Sequence, residues 1–429
     1  MWWIFTVIKM RRLALCISLR VSWAALATLG AAAAAGGGAP CASVSDCFGL
    51  GDCTDGACVC EPWASGSADC SVLLTRALPA SDVAAWGYMN SSSPSWAGAF
   101  VQDVRGDGRW HGFVGAMTPG YPNRTSNFGA PEVVHLEQTG AGGGAAGAGE
   151  GGWRVAGAPI ANVFQAQASP LPASQGGGFV LFSNAGAGSG LRGLMAAHVA
   201  NASTFSGPGG GVPRMSNVYS PPWPSPAGAP WICGTNDWGA VVLPDGSVLG
   251  SFRNGGRHCA NGSYPGWPAE QLGLVRASCW NCSDYRILTL REPLFAHQSG
   301  GASNEDAQLF WTHRGVHMVA HSQDHSDPSI PHQTRGVVAF SPSADDPRAW
   351  VISPRAAYGP SIELSNGSTL VARRRQRPGI VFGGQSTAGA AGAWPRRNAT
   401  HISNCVDLVY SGNDDGWGDA WTMLQPLAQ

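Results

Sequence analysis

Two carboxylates stand near the starts of repeated units of this 429-residue chain, Asp237 one position out of step with Glu305, so that strand alternation could turn it away. Glu305, in the run Asn304-Glu305-Asp306, lies ten residues ahead of the turn glycine Gly315. Asn236, followed by Asp237, lies ten residues ahead of the turn glycine Gly246. Carboxyl groups facing one cavity can divide acid and base work if their surroundings push their pKa values apart. The plain alternative is a pair of strand-end carboxylates bonded to backbone. Histidines recur as well. His317 and His321 alternate along one strand, and His111 follows Gly108 much as His317 follows Gly315, which speaks for packing. His321, His325 and His332 with Asp324 and Asp327 are a metal-ligand grouping whose spacings fit no closed zinc pattern. Arg373, Arg374, Arg375 and Arg377 form a basic run. In a strand, alternate members point to opposite faces, so one or two could reach a channel while the others stay solvated. Arg253 and Arg257 carry the same two readings.

The elements that must hold these residues are short strands. The hairpins Ala99–Val104/Arg109–Ala116, Gly239–Leu243/Ser247–Phe252, Ala307–Thr312/Val316–His321 and Ser361–Leu364/Ser368–Arg373 flank Gly-containing turns, the strongest short hairpin signal. A weaker unit joins Asn162–Gln167 to Gly178–Ser183. The marker glycines Gly108, Gly176, Gly246, Gly315 and Gly367 are spaced by 68, 70, 69 and 52 residues. That period exceeds a solenoid repeat and suits four-stranded propeller blades. The expectation is an all-β, five-bladed propeller. A β-sandwich or two smaller β domains are the alternatives. Composition agrees: 60 glycines and 30 prolines disfavour long helices. A net charge of −1 with 12% charged residues argues against a nucleic-acid partner. Eighteen tryptophans would fill cores or line a sugar site.

Residues 1–36 read as a secretion signal. Lys9, Arg11 and Arg12 precede an apolar run that ends in small alanines, and an uncleaved anchor is the other reading. The expected location is secreted or extracellular, with membrane anchoring as the alternative and no membrane span once the signal is cleaved. Seven Asn-X-Ser/Thr acceptors, at Asn90, Asn123, Asn201, Asn261, Asn281, Asn366 and Asn398, fit that route. Residues 41–70 hold six cysteines, Cys41, Cys47, Cys53, Cys58, Cys60 and Cys70, in a stretch too short to bury a core. Fifteen pairings are open. Five cysteines follow, and Cys233–Cys259 and Cys279–Cys282 are candidate bridges that leave Cys405 over.

The spacing of residues 41–70, with its Cys58-x-Cys60, resembles an EGF-like module. The resemblance implies the pairs Cys41–Cys53, Cys47–Cys58 and Cys60–Cys70, and a protein-contact role for the module. Residues 81–429 resemble five-bladed propellers of glycoside hydrolase families 43 and 32, and an EGF-plus-propeller group of secreted, often algal or protist, proteins. Asn304-Glu305-Asp306, Gly336-Val337-Val338-Ala339-Phe340-Ser341 with Trp350, Arg374-Arg375-Gln376-Arg377-Pro378 and Thr400-His401-Ile402-Ser403-Asn404 carry that likeness. It implies a carbohydrate ligand and a pair of carboxyl groups across the scissile bond. Glu305 would be the general acid, with Asp237 as its neighbouring carboxylate. Trp96, Asn236, Arg253, Arg375 and His401 would be ligand contacts. The first-blade stretch Pro94–Ala99 holds no carboxylate where such enzymes place their base. The resemblance therefore implies either a hydrolase with an unusual base or a non-catalytic carbohydrate-binding, cell-surface or matrix protein. No cofactor is called for. A calcium ion in the channel near His401 is the one ion the likeness allows.

Overall fold

The computed structural model describes residues 38–81, 86–90, 94–103, 107–117, 131–139, 152–185, 193–205, 214–220, 231–232, 234–255, 270–298, 303–323, 334–383, 398–408 and 420–429. The tight turns and alternating apolar residues resolve into antiparallel strands. A small hairpin, β1 (Gly51–Thr54) with β2 (Ala57–Cys60), lies in the cysteine-rich segment, and β3 (Gly87–Tyr88) follows it. Blade one is β4 (Ser95–Gln102), β5 (Trp110–Ala116), β6 (Glu132–Gln138) and β7 (Trp153–Val155), with β8 (Ile160–Ala161) also on β6. Blade two is β9 (Val163–Pro170), β10 (Phe179–Ala185), β11 (Leu194–Val199) and β12 (Ser216–Tyr219). Blade three is β13 (Thr235–Val242), β14 (Val248–Gly255), β15 (Glu270–Ala277) and β16 (Arg286–Ile287). Blade four is β17 (Asn304–Thr312), β18 (Gly315–Ser322), β19 (Arg335–Ser341) and β20 (Val351–Ile352). A separate hairpin, β21 (Ser361–Glu363) with β22 (Thr369–Val371), precedes blade five, which is β23 (Arg374–Gly383), β24 (Asn398–Asp407), β25 (Trp421–Pro426) and β3.

The chain is an all-β, five-bladed propeller. Its last blade takes β3 from ahead of blade one, pairing Tyr88 with Thr422 and Gly87 with Met423. This supplies the fourth strand of the last blade from chain that precedes the first. Four turn glycines mark blades as the sequence predicts. The fifth does not. Gly367 sits at φ 80° in the turn between β21 and β22, whose three-residue strands stand outside the blades. The first strand of blade five is the basic run itself. Arg374, Arg375, Gln376 and Arg377 are buried, so the solvated-face reading of that run fails. Arg377 is held by charge pairing across the ring and Arg375 by hydrogen bonds to neutral groups, neither of which strand alternation alone reveals.

Apolar side chains fill the seams between blades. Phe182, Val180 and Leu171 of blade two meet Trp238 and Val242 of blade three. Leu249 and Leu274 of blade three meet Leu309, Met318 and Trp350 of blade four. The seam between blades four and five is completed by the cysteine-rich segment. Leu50, Trp63 and Leu73 pack with Phe310, Val319, Ile380 and Phe382 in one cluster.

The bonded pairs in that segment are Cys41–Cys53, Cys47–Cys58 and Cys60–Cys70. Gly49, at φ 63°, lies so close that a Cβ would stand 2.2 Å from the Phe340 ring. Arg314, at the turn between β17 and β18, grips Asp52 with Nε at 2.7 Å and Nη2 at 3.0 Å, and Glu61 at 2.7 Å. One face of the small module is thus a wall of the propeller, not a free spacer surface. Cys279 and Cys282 are bonded, and Cys405 is free and buried. Cys233 and Cys259 lie outside the described residues, as does 1–37. Among the described residues, no helix is long and apolar enough to cross a membrane.

Because Trp63 belongs to the seam between blades four and five, Trp63→Ala should destabilise the propeller as a whole. The expected loss is about 3–5 kcal/mol, read from urea unfolding followed by propeller tryptophan fluorescence. A transition confined to the module, with the propeller midpoint unchanged, would contradict this.

Candidate functional site at the propeller axis

The innermost strand of every blade carries a register shift near its start. The paired residues jump between Ser95 and Gly98 in β4, Asn236 and Gly239 in β13, Glu305 and Gln308 in β17, and Gln376 and Gly379 in β23. In β9 the corresponding break falls between Phe164 and Gln167. A bulge of this kind re-aims one side chain out of the strand's alternation. Gln165, Asp237, Asp306 and Arg377 take left-handed φ values of 59°, 48°, 56° and 51° there. Non-glycine residues adopt that region only when their surroundings over-determine it. All four are buried. Blade one contributes Trp96 at the same level, with the Arg377 guanidinium 5.0 Å from its ring centre and 5.7 Å from that of Phe164.

Charge decides the rest. Arg377 ties two blades together, with Nη2 3.1 Å from Asp237 Oδ1 and Nη1 3.1 Å from Asp306 Oδ1. Arg253, on β14, lies with Nε 2.6 Å from Asp237 Oδ2 and donates from the same atom to Asn236 Oδ1 at 3.0 Å. Its Nη1 reaches Glu270 at 3.1 Å and also pairs with Glu305. Glu305 Oε1 lies 3.0 Å from His321 Nδ1 and accepts from Gln323 Nε2. Two guanidiniums are therefore threaded among four carboxylates in a site largely closed to water.

The two neighbouring acids respond in opposite senses. Burial works to raise the pKa of Glu305, but the His321 hydrogen bond and the Arg253 charge outweigh it and hold the group at about 2. Burial drives Asp306 well above the usual carboxylate range. Arg377 opposes the rise, and the charges of Glu305 and Asp237 add to it. Burial likewise disfavours charge on Arg377, and the charges of Asp306, Asp237 and Glu305 more than restore it.

Of the residues the sequence singles out, Glu305, Asp237, Asn236, Arg253 and Trp96 meet here. Arg375 and His401 do not. Arg375 is buried elsewhere in blade five. It donates to Asn404 Oδ1 at 3.0 Å, Gln425 Oε1 at 2.8 Å and the Gly359 carbonyl at 3.2 Å, over the Tyr358 ring. His401 pairs with Val381, four residues beyond the Arg377 position on β23 and so roughly 13 Å along the strand. Burial lowers its pKa to about 4. The structure adds Asp306, Glu270 and Gln323, and brings in Arg377 from the basic run and His321 from the histidine-bearing strand. Asp306 follows from the shared ten-residue offset. Arg377 would follow too, were the first strand of blade five marked by its own turn. Nothing in the sequence marks Glu270.

Glu305, Asp306 and His321 bring ligand atoms within 4.8 Å of one another, as a cation site would. Two guanidiniums already supply the positive charge there. A second grouping, Asp103, Asp107 and His111, is committed locally: Asp103 accepts from Ser203 and Asp107 from Arg109 N. His401 belongs to neither. The grouping built on His325, His332, Asp324 and Asp327 lies outside the described residues.

No protein-family model matches the chain, and no curated protein matches it. Solved structures do. A thermostable family-43 glycoside hydrolase shares 9% identity over 80% of this chain and 93% of its own, with a TM-score of 0.44. A family 117 glycoside hydrolase from the marine bacterium Zobellia galactanivorans shares 12% over 83% and 90%, with a TM-score of 0.45. A GH62 hydrolase in complex with xylotriose shares 10% over 84% and 96%, with a TM-score of 0.44. The likeness is one of fold. The blade order of this chain stands on its own strand pairing.

Removing one partner of a buried ion network leaves charge uncompensated. Arg377→Met should cost about 3–5 kcal/mol of stability in denaturant unfolding at neutral pH. The acid limb has a definite sign. Glu305 is held below its ordinary value of 4.5, so its contribution is complete above pH 4.5 and is lost as pH falls towards about 2. Glu305→Gln should flatten the stability profile across that window. An unchanged slope would show that the carboxylate is not so held.

Proposed function

We propose that this chain is an exported carbohydrate-binding propeller on a glycosidase-like scaffold, and that it does not hydrolyse sugar through Glu305 as general acid. One observation carries the reading: each axial carboxylate is already matched by Arg253, Arg377 or both. A general acid must hold a proton near neutral pH. The environment of Glu305 does the opposite. At the level where a first-blade base would stand, blade one offers the indole of Trp96.

Binding is supported by what remains accessible. Asn236, Arg253, Glu270 and Gln323 are partly exposed above the buried pairs. They offer planar amide, guanidinium and carboxylate groups whose charges largely cancel. Such a surface suits the hydroxyls of a neutral sugar better than a charged ligand. Export is supported by the three closed disulfides of residues 41–70, which call for an oxidising compartment. With it go the reading of 1–36 as a signal, of 41–70 as an EGF-like module and of the asparagine acceptors as glycan sites.

A second reading rests on the split between Glu305 and Asp306. Two adjacent acids with opposite pKa shifts are what acid–base catalysis uses, and hydrolysis with Asp306 as proton donor would exploit it. Both readings are separable with the purified ectodomain. On the binding reading, neutral oligosaccharides are retained in a glycan panel, Arg253→Ala abolishes retention, and aryl glycosides turn over no faster than buffer. Turnover that Asp306→Asn removes supports the second reading. Turnover that Glu305→Gln removes, or an ectodomain that retains no oligosaccharide, overturns the proposal.

A further inference from the structure

A cavity of about 650 Å³ opens on the outer flank of the ring, between blades three and four. It shares no lining residue with the axial cluster. One wall is the segment Leu288–Gln298, which connects β16 to β17. The other is the short turn Pro347–Arg348 that leads into β20.

The walls are fixed. Leu288 N and Leu294 N donate to the carbonyls of Leu274 and Leu272, at 2.9 Å each, so the segment is fastened along β15. Thr289 Oγ1 accepts from Leu274 N at 3.0 Å, and its carbonyl accepts from Trp231 Nε1 at 2.9 Å. At the far end, Gln298 spans the seam. Its Nε2 donates to the Trp350 carbonyl at 2.7 Å and its Oε1 accepts from Ile352 N at 3.0 Å. The opposite turn is closed by the Asp346 side chain, which accepts from Arg348 N at 2.9 Å. A pocket held from both sides exists before a ligand arrives, and its size falls in the range of small-molecule sites.

Its chemistry is uneven. The walls are mostly apolar, from Leu288, Leu294, Pro293 and Pro347, and Leu290 stands 39% exposed at the mouth. The lining acids have local hydrogen-bond partners: exposed Glu292 lies 3.0 Å from His297 Nε2, and Asp346 accepts from Arg348 N. The two guanidiniums, Arg291 and Arg348, are exposed and make no ion pair with a carboxylate among the described residues. An apolar body with one anionic group matches this distribution, because the ring or chain would cover the leucines and the charge would meet the arginine forks.

We propose that this flank cavity is a second ligand site, for a small amphipathic carboxylate with a rigid apolar body. It is independent of the axial site and of what that site binds.

The probe is 2-naphthoate, with 2-naphthamide as its uncharged counterpart, titrated by calorimetry into the full ectodomain. The expected result is saturable 1:1 binding of naphthoate, with naphthamide at least ten-fold weaker. The double variant Arg291→Gln/Arg348→Gln, on the surface and away from both cores, should keep the parent's thermal transition. It should lose naphthoate affinity at least ten-fold. Leu290→Glu, which sets a competing carboxylate at the mouth, should weaken naphthoate at least as much. Equal affinity for acid and amide, a double variant that binds like the parent, or no saturable binding would each overturn the proposal. Oligosaccharide retention at the axis should be unaltered in all these variants, so failure here leaves the axial reading untouched.

Discussion

The constraint on which the structure turns is compensation of charge at the propeller axis. Four carboxylates from blades three and four converge where water is scarce. Left alone they would repel one another and would be costly to bury. Arg377 from blade five and Arg253 from blade three resolve this by bridging rather than pairing: each guanidinium serves two or three acids in different strands. The planar fork of arginine is suited to this, and a lysine ammonium could not span the same set. Three blades are locked in register at the axis by these contacts. The compensation has a functional side as well. Glu305, fastened by His321 and Arg253, is held ionised and is a poor proton donor.

The backbone makes the convergence possible. Strand alternation would send neighbouring side chains to opposite faces of a blade, and Asp237 and Asp306 would then be divided from their partners. The repeated bulge breaks the alternation at one residue per inner strand and swings that side chain to the axis. Left-handed φ at Asp237, Asp306 and Arg377 is the conformational cost, of order 1–3 kcal/mol each. The ion network that these residues form is what holds the strained backbone in place, so the bulges and the charges stabilise one another.

The cysteine-rich module shows the same economy at the other end of blade four. Residues 41–70 are too few to bury a core, and three disulfides hold their shape. Their apolar face is completed by the propeller seam, and Arg314 fixes the orientation through Asp52 and Glu61. A module that the sequence presents as a separate contact surface packs one face against the ring.

Much of this architecture is legible in the order of the amino acids. Local signals suffice where the physics is local: turn glycines mark four hairpins, because the positive φ of those turns favours glycine. Clustered cysteines announce a stapled module, and the ten-residue offset matches Asn236-Asp237 with Glu305-Asp306. The fifth blade escapes because Asn366-Gly367 is a genuine turn in the wrong hairpin, and a turn signal says nothing about which sheet its strands join. Motif likeness draws Arg375 and His401 to the site, yet their partners, Asn404, Gln425 and Val381, place them elsewhere in blade five. Which arginine of the basic run reaches the axis, and which acid has its pKa pushed up and which held down, depends on groups up to 140 residues apart meeting in a closed ring. Sequence determines where the chain turns and how residues alternate. Only closure of the ring decides which charges face each other, because burial and opposing charge are properties of the assembled site.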